Sequence, residues 1–339
     1  MKTETRSLII CLIALALQLN GTKLHAELRT FTSITGTTIR GELDTINGDM
    51  VTIKKEDGKF ITTKAANFSA ADQAFLKEHG LKDAAAPAAF ASATKERPFV
   101  NSLGMKFVPV PGTDVLFAIT LTRCVDYNLF AATTTDVNSD NGPGGEKRDK
   151  SLFPTSTLSW NRAKAFCDWL SKKEGLAYRL PTDREWSVAV GIGSQEAAGA
   201  TPEELNGKCA NVFPWGTQWP PPDGFANYAD ESLNAYLKKV KYQPIYTIKG
   251  YKDGEVAISP VMAFRPNKLG LYDMGGNLWQ WCEDWYDAAK TKKLLRGASW
   301  DDSEMARLFS SSRWPNDSDF QETKTSKTGF RCVLEVAKQ

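Results

Sequence analysis

The chain has 339 residues, 42% of them hydrophobic and 24% charged, with a formal net charge of +2. That length and balance suffice for a sizeable core and for about two domains. Lysine and arginine are mixed with aspartate and glutamate rather than gathered into the basic stripe of a nucleic-acid binder, so nucleic acid is not an expected partner.

Residues 1–26 read as a secretory signal. Lys2 and Arg6 supply positive charge, Leu8 to Leu17 is apolar, and Leu24-His25-Ala26 offers a cleavage site before Glu27. The apolar run is about half the ~20 residues that span a bilayer; the alternative is an uncleaved anchor. No later segment approaches transmembrane length, so no stable membrane span is expected. The expected location is secreted or periplasmic, an oxidising compartment. Without Cys11, the cysteines are Cys124, Cys167, Cys209, Cys282 and Cys332. Five is odd, so one is free or pairs between chains. No CxxC occurs, which argues against a zinc knuckle.

Residues 27–80 form a candidate small module in which 27–63 alternate with the period of strands, in RTFTSI, TTIRGELDTI, MVTIKK and KFITTK. Asn47-Gly48 and Asp57-Gly58 suit tight hairpin turns, where positive φ is required. Ser69 caps a short helix toward His79, with Gly80 as its stop. This small β-barrel or meander resembles the Sla-type homology domain, an SH3-like module. The resemblance implies a protein partner; a structural spacer is the alternative. Residues 81–97, rich in alanine between Pro87 and Pro98, read as a linker.

From Phe99 the character changes. All ten tryptophans lie between Trp160 and Trp314, among many Gly, Pro, Asn and Asp residues. A compact domain with much irregular backbone is expected. Ser159 caps a helix in which Trp160, Ala163, Phe166, Cys167 and Leu170 recur at helical spacing, and Gly175 ends it. Thr182-Asp183-Arg184-Glu185 forms a capping box ahead of Trp186.

Seven motifs follow in order: NSLGMKFVPVPG (101–112), AFCDWLSKKEGLAYRLPTDREW (165–186), FPWG (213–216), ANYAD (226–230), PNKLGLYDMGGNLWQWCEDWY (266–286), RGASW (296–300) and TGFRCV (328–333). Together they resemble the formylglycine-generating-enzyme (sulfatase-modifying-factor) family over residues 98–336. The resemblance implies an α+β, C-type-lectin-like fold with much irregular structure and bound calcium. The family's enzyme oxidises a sulfatase cysteine to formylglycine with copper held by two thiolates, ligands that suit Cu(I). Here the corresponding stretch reads DDSEMARLFSSSRW (301–314). The first cysteine position falls on about Asp302 and the second near Ala306 or Arg307, so the thiolate pair is absent and copper is not expected. Ser299 matches the serine beside that site. A second branch of the family binds iron through three histidines. This chain has only His25 and His79, so iron is not expected, nor is a histidine base in this domain.

The family's two calcium constellations carry over in part. The first would use the Asn227 side chain, the Tyr228 carbonyl, the Asp253 carboxylate and the Glu255 carbonyl, hard oxygen donors that suit Ca²⁺. The second would use Asp273, the Gly276 and Leu278 carbonyls, and Gln280 where family members often have Glu. The alternative is that Asn227 and Asp253 cap turns. Cys167 and Cys332 match a family disulfide, with two buried thiols as the alternative. The family's second bridge falls on Val190 and is missing, which leaves Cys124, Cys209 and Cys282 unassigned. Trp300, Arg313 and Asp301/Asp302 are candidates to line a groove for a peptide or a carbohydrate. The expected function is a catalytically silent binding or scaffold protein. The alternatives are an oxidase working without the cysteine pair, and a hydrolytic or transfer activity based on Asp301, Asp302 and Glu304.

Overall fold

The computed structural model describes residues 28–47, 50–79, 92–134, 150–319 and 327–336. The signal segment, Gly48, Gly80 and most of the linker lie outside them. The chain divides into two compact units between residues 85 and 86.

The first unit is an antiparallel meander of β1 (Arg29–Thr32), β2 (Thr38–Asn47), β3 (Met50–Lys55) and β4 (Phe60–Lys64), in that order across the sheet, followed by α1 (Ala70–Glu78). Period-2 patterning puts Val51 and Ile53 of β3 inward, with Phe31, Leu43, Phe68 and Leu76. After β4 the chain returns to β1: Ser69 N–H donates to the Thr32 carbonyl at 2.7 Å, and Ile34 N–H to that of Asn67 at 2.9 Å. Ser69 caps α1 as its sequence indicates, its hydroxyl accepting from Asp72 N–H. Asp72 in turn accepts from Arg29 at 2.6 Å and from Thr32 N–H at 2.8 Å, which ties helix to sheet.

The second unit mixes helices and strands. One sheet runs in the order β5 (Phe99–Val100), β6 (Lys106–Pro109), β7 (Val115–Ala118), β13 (Val333–Glu335), β8 (Tyr178–Arg179). The other runs β11 (Arg313–Asn316), β10 (Lys293–Arg296), β9 (Trp279–Trp285), β12 (Thr328–Gly329), antiparallel except for the β12–β9 pair. Helices α2 (Cys124–Ala131), α3 (Trp160–Glu174), α4 (Asp183–Val190), α5 (Pro202–Leu205) and α6 (Glu231–Lys239) occur in the segments between strands.

Helix α3 follows its sequence. Ser159 accepts from Arg162 N–H, Ala163, Phe166, Cys167 and Leu170 are buried, and Gly175 closes it at φ 69°. Phe166 packs on Tyr127, Phe130 and Phe330, so one apolar stripe joins α2, α3 and the segment before β13. In α4 the Thr182–Glu185 capping box is formed. Much of the remaining unit is loop, with Thr157, Asp273, Asn277 and Ala298 among the non-glycine residues at positive φ.

Candidate functional site

The chain leaves β10 through Gly297 (φ 99°) and Ala298 (φ 60°), two left-handed residues in succession. A Cβ at Gly297 would lie 3.2 Å from Gln280 Nε2 and 3.4 Å from Trp186, so this crossing is tight as well as left-handed. The turn buries Ser299 and delivers Asp302 beside it. Asp302 Oδ2 accepts three hydrogen bonds: from Ser299 N–H at 2.9 Å, from Ser299 Oγ at 2.7 Å and from Trp279 Nε1 at 2.8 Å. Its Oδ1 accepts from Arg307 Nη1 at 3.2 Å. Arg307 lies over the Trp314 ring, 4.4 Å from its centroid, and also reaches Glu304. Asp301 Oδ1 lies 2.8 Å from the same Ser299 hydroxyl, whose one proton the two carboxylates share, and Asp301 pairs with Lys327. Burial pushes the Asp301 carboxyl up, against the Lys327 contact that pulls it down.

Ser299, Asp302 and Arg307 are therefore brought together as their positions in the sequence suggest. What they form is a closed hydrogen-bond network. Oδ2 of Asp302 is engaged by Ser299 and Trp279 and its Oδ1 by Arg307, so this carboxylate serves to hold the turn together. The residues do not fit copper: no cysteine lies between Cys282 and Cys332, and Asp302 offers only hard oxygen. The roles of Trp279, Trp314 and Lys327 were not visible in the sequence, where tryptophans in this region read as core.

Arg313 does not line a groove. Its guanidinium is buried among Asp183, Glu196 and the Ser187 hydroxyl, at 2.8 Å from Asp183 and 2.9 Å from Glu196. Arg296 shares Asp183 with it and stacks on Trp186 at 4.3 Å. Alternation along β11 explains the correction: Arg313 points inward and Trp314 outward. Trp300 is partly buried against Leu121, Ile258, Val261 and Leu278, and its indole N–H has no hydrogen-bond partner.

The first calcium constellation is compact. Asp253 accepts from Tyr228 N–H at 2.9 Å and from Glu255 N–H at 2.8 Å, so one carboxylate fastens both carbonyl-bearing segments. Asn227 is buried and donates to the Ala257 carbonyl at 2.7 Å. Burial, with the charges of Asp230 and Glu255, pushes the Asp253 carboxyl up to about 7. Buried carboxylates crowded in this way are the environment that a hard cation relieves.

The second constellation fits in part. Burial raises the Asp273 carboxyl to about 6, opposed by the charge of Arg331 and by Asn277, and neither of its oxygens has a hydrogen bond of normal geometry. An orphaned buried carboxylate calls for a counter-charge. Gly276 approaches Asn227 so closely that a Cβ would lie 2.5 Å from the Asn227 carbonyl oxygen. Gln280, however, is already engaged at both ends. Its Nε2 donates to the Asp273 carbonyl at 2.6 Å, and its Oε1 accepts from Arg331 Nε at 2.7 Å. Among the described residues no three His, Cys, Asp or Glu side chains gather, so any calcium would depend heavily on carbonyl oxygens.

Cys167 on α3 and Cys332 before β13 face each other with sulfurs 3.6 Å apart, as unbonded thiols. Both are fully buried, and burial together with Cys332 pushes the Cys167 thiol far up.

Residues 59–336 match the model of the sulfatase-modifying factor enzyme 1-like domain, starting earlier than the boundary at 98 that the motifs indicate. The chain is 36% identical over 200 residues to the inactive C-alpha-formylglycine-generating enzyme 2 of Bos taurus, covering 57% of this chain and 54% of that protein. It is 28% identical over 214 residues to the formylglycine-generating enzyme of Thermomonospora curvata, covering 57% and 59%. It thus spans little more than half the length of these relatives. The solved structure of PvdO from Pseudomonas aeruginosa aligns with 22% identity and a TM-score of 0.46, over 65% of this chain and 80% of that one. With the family model matched over most of its length, the chain belongs to the sulfatase-modifying factor enzyme 1-like domain family.

Proposed function

We infer that this chain is an exported, non-catalytic formylglycine-generating-enzyme-like protein that binds a peptide or carbohydrate ligand. The observation that carries this reading is the state of Asp302. The residue at the first thiolate position of the family's enzyme is a carboxylate engaged by Ser299 and Trp279 and held by Arg307. Its hard oxygen donors do not suit the soft copper of the family's enzyme. The similarity to an inactive bovine relative supports the same reading. In it the second unit is C-type-lectin-like and stabilised by calcium. Asn227, Tyr228, Asp253 and Glu255 hold one ion; Asp273, Gly276 and Leu278 hold a second without Gln280. Bound calcium would supply positive charge that ties loops together, and no chemistry beyond that. The first unit serves as an SH3-like module for a protein partner.

The test is metal analysis of the purified protein together with a formylglycine assay on a sulfatase-derived cysteine peptide. Calcium without copper, and no conversion of the peptide, is expected. Stoichiometric copper or turnover overturns the reading. Trp300→Ala and Asp302→Ala variants then ask whether ligands found by peptide and glycan screening bind at this site.

A further inference from the structure

Helix α6 ends in a projecting finger. From Lys238 to Tyr246, in the sequence KKVKYQPIY, every residue is exposed, with Tyr242 at 73% and Tyr246 at 79% relative accessibility. Tyr236, Val240 and Ile245 are exposed with them. Isolated apolar residues on a surface are ordinary, but a contiguous exposed set marks an interaction site.

The finger has a defined shape. Asn234 Nδ2 donates to the Ile245 carbonyl and to Thr247 Oγ1, both at 2.9 Å, while its Oδ1 accepts from Ile245 N–H at 2.9 Å. Tyr242 N–H donates to the Leu237 carbonyl at 2.8 Å, and Lys241 turns the chain at φ 58°. At its base, Ser303 Oγ donates to the Tyr246 carbonyl at 2.9 Å. These bonds fix the backbone while the Tyr242 and Tyr246 side chains stay largely open and Val240 and Ile245 remain about half exposed.

The charge is one-signed. No aspartate or glutamate occurs between Glu231 and Asp253, whereas Lys238, Lys239, Lys241, Lys249 and Lys252 all do, and all are exposed. Glu231 offsets Lys252 at 3.5 Å, and among the described residues Lys238, Lys239 and Lys241 form no ion pair. In a chain whose charges are otherwise mixed, this segment of 21 residues carries five lysines and no acid.

We propose that this finger docks the protein on an anionic lipid bilayer, with Tyr242, Ile245, Tyr246 and Val240 entering the interface and the lysines meeting the headgroups. Tyrosine is favoured where one end of the ring is apolar and the other wet, and basic side chains beside a negative surface add attraction. Valine and isoleucine at the tip separate this from a soluble polyanion site, to which they would contribute little.

The experiment is co-sedimentation of the full chain with phosphatidylcholine vesicles, with and without phosphatidylserine. The apolar run at Leu8–Leu17 is common to every form, so the readout is the difference between forms. Wild type should gain binding when phosphatidylserine is present and lose that gain at high salt. The K238E/K239E/K241E variant should lose the gain by on the order of a hundredfold, at roughly fivefold per lysine. The Y242S/I245S/Y246S variant should bind vesicles at least about tenfold more weakly while binding dextran sulfate as wild type does. Melting temperatures equal to wild type show that both variants are folded. A phosphatidylserine gain that neither variant alters overturns the proposal, as does the absence of any gain. Equal loss of dextran sulfate and vesicle binding in the lysine variant, with the serine variant unaffected in both, assigns the finger to a soluble polyanion instead.

Discussion

Arg331 and Gln280 hold each other in the centre of the second unit: the Arg331 Nε donates to Gln280 Oε1 at 2.7 Å, and neither side chain reaches solvent. Arg331 also donates to the carbonyls of Ala118, Tyr272 and Asp273. One buried cation thus joins the β7 end, the Asp273 loop and β9. It also provides the charge beside the orphaned Asp273 carboxylate. Replacing Arg331 by methionine removes that charge and leaves several carbonyls unmet. It should destabilise the protein by at least about 3 kcal/mol in urea unfolding. A loss of under about 1 kcal/mol would mean that Asp273 is held neutral and needs no counter-charge.

The same geometry predicts how calcium and pH combine. Asp253 and Asp273 have carboxyls raised to about 7 and about 6, above the ordinary value near 3.9. In the calcium-free protein the unfolded chain therefore releases these protons first as pH rises, so the contribution of these two groups is full below about pH 4 and falls as pH climbs toward 7. Calcium bound as proposed would stabilise the ionised carboxylates and should remove the slope. Urea midpoints at pH 5 and pH 7.5, in calcium and in chelator, check this. Equal midpoints in calcium and chelator at the higher pH would count against both sites.

Cys167 and Cys332 lie close enough to be joined with little movement and far enough apart in the chain to matter. Their loop spans 165 positions, for which the chain-entropy model gives about 5 kcal/mol. Both thiols are buried, and burial keeps Cys167 from ionising, so the folded protein should resist alkylation and oxidise slowly. Protein folded under oxidising conditions should carry this bridge by non-reducing peptide mapping and melt well above the Cys167→Ser form. Recovery of both thiols free from oxidatively folded protein would rule the bridge out.

What could be read from the sequence was local. The Ser159 and Thr182 caps, the Gly175 stop and the meander of the first unit rest on interactions within a few residues, and such patterns survive any tertiary context. The position of Ser299 beside Asp302 follows from a motif. What could not be read was direction. Arg313 and Trp314 are neighbours in β11, and only the register against β10 decides that the arginine turns into the core and the tryptophan out toward Arg307. Gln280 has a side chain able to ligate a metal, but its occupancy depends on Arg331, 51 residues away. The exposed finger after α6 follows from loop geometry fixed by Asn234, for which composition gives no sign.

Asp183 shows both sides of this and supplies the last prediction. Its place at the start of α4 suggests only a favourable interaction with the helix dipole. In the folded protein it lies between two buried arginines, with Arg313 Nη2 at 2.8 Å and Arg296 in direct contact, and their charges outweigh burial to hold its carboxyl below the usual range. Asp183→Asn keeps the shape and removes the charge, leaving two guanidinium groups buried with Glu196 as the remaining acidic partner in this network. The expected cost is about 3–5 kcal/mol. Because Asp183 is depressed, its contribution is present above the unfolded value near 3.9 and is lost as pH falls through the lower folded value. Wild type should therefore lose stability relative to Asp183→Asn in strong acid, and the two denaturation curves should converge there. Curves that stay parallel down to the acid transition would show that the arginines are held by the Ser310, Ser311 and Ser312 carbonyls rather than by this carboxylate.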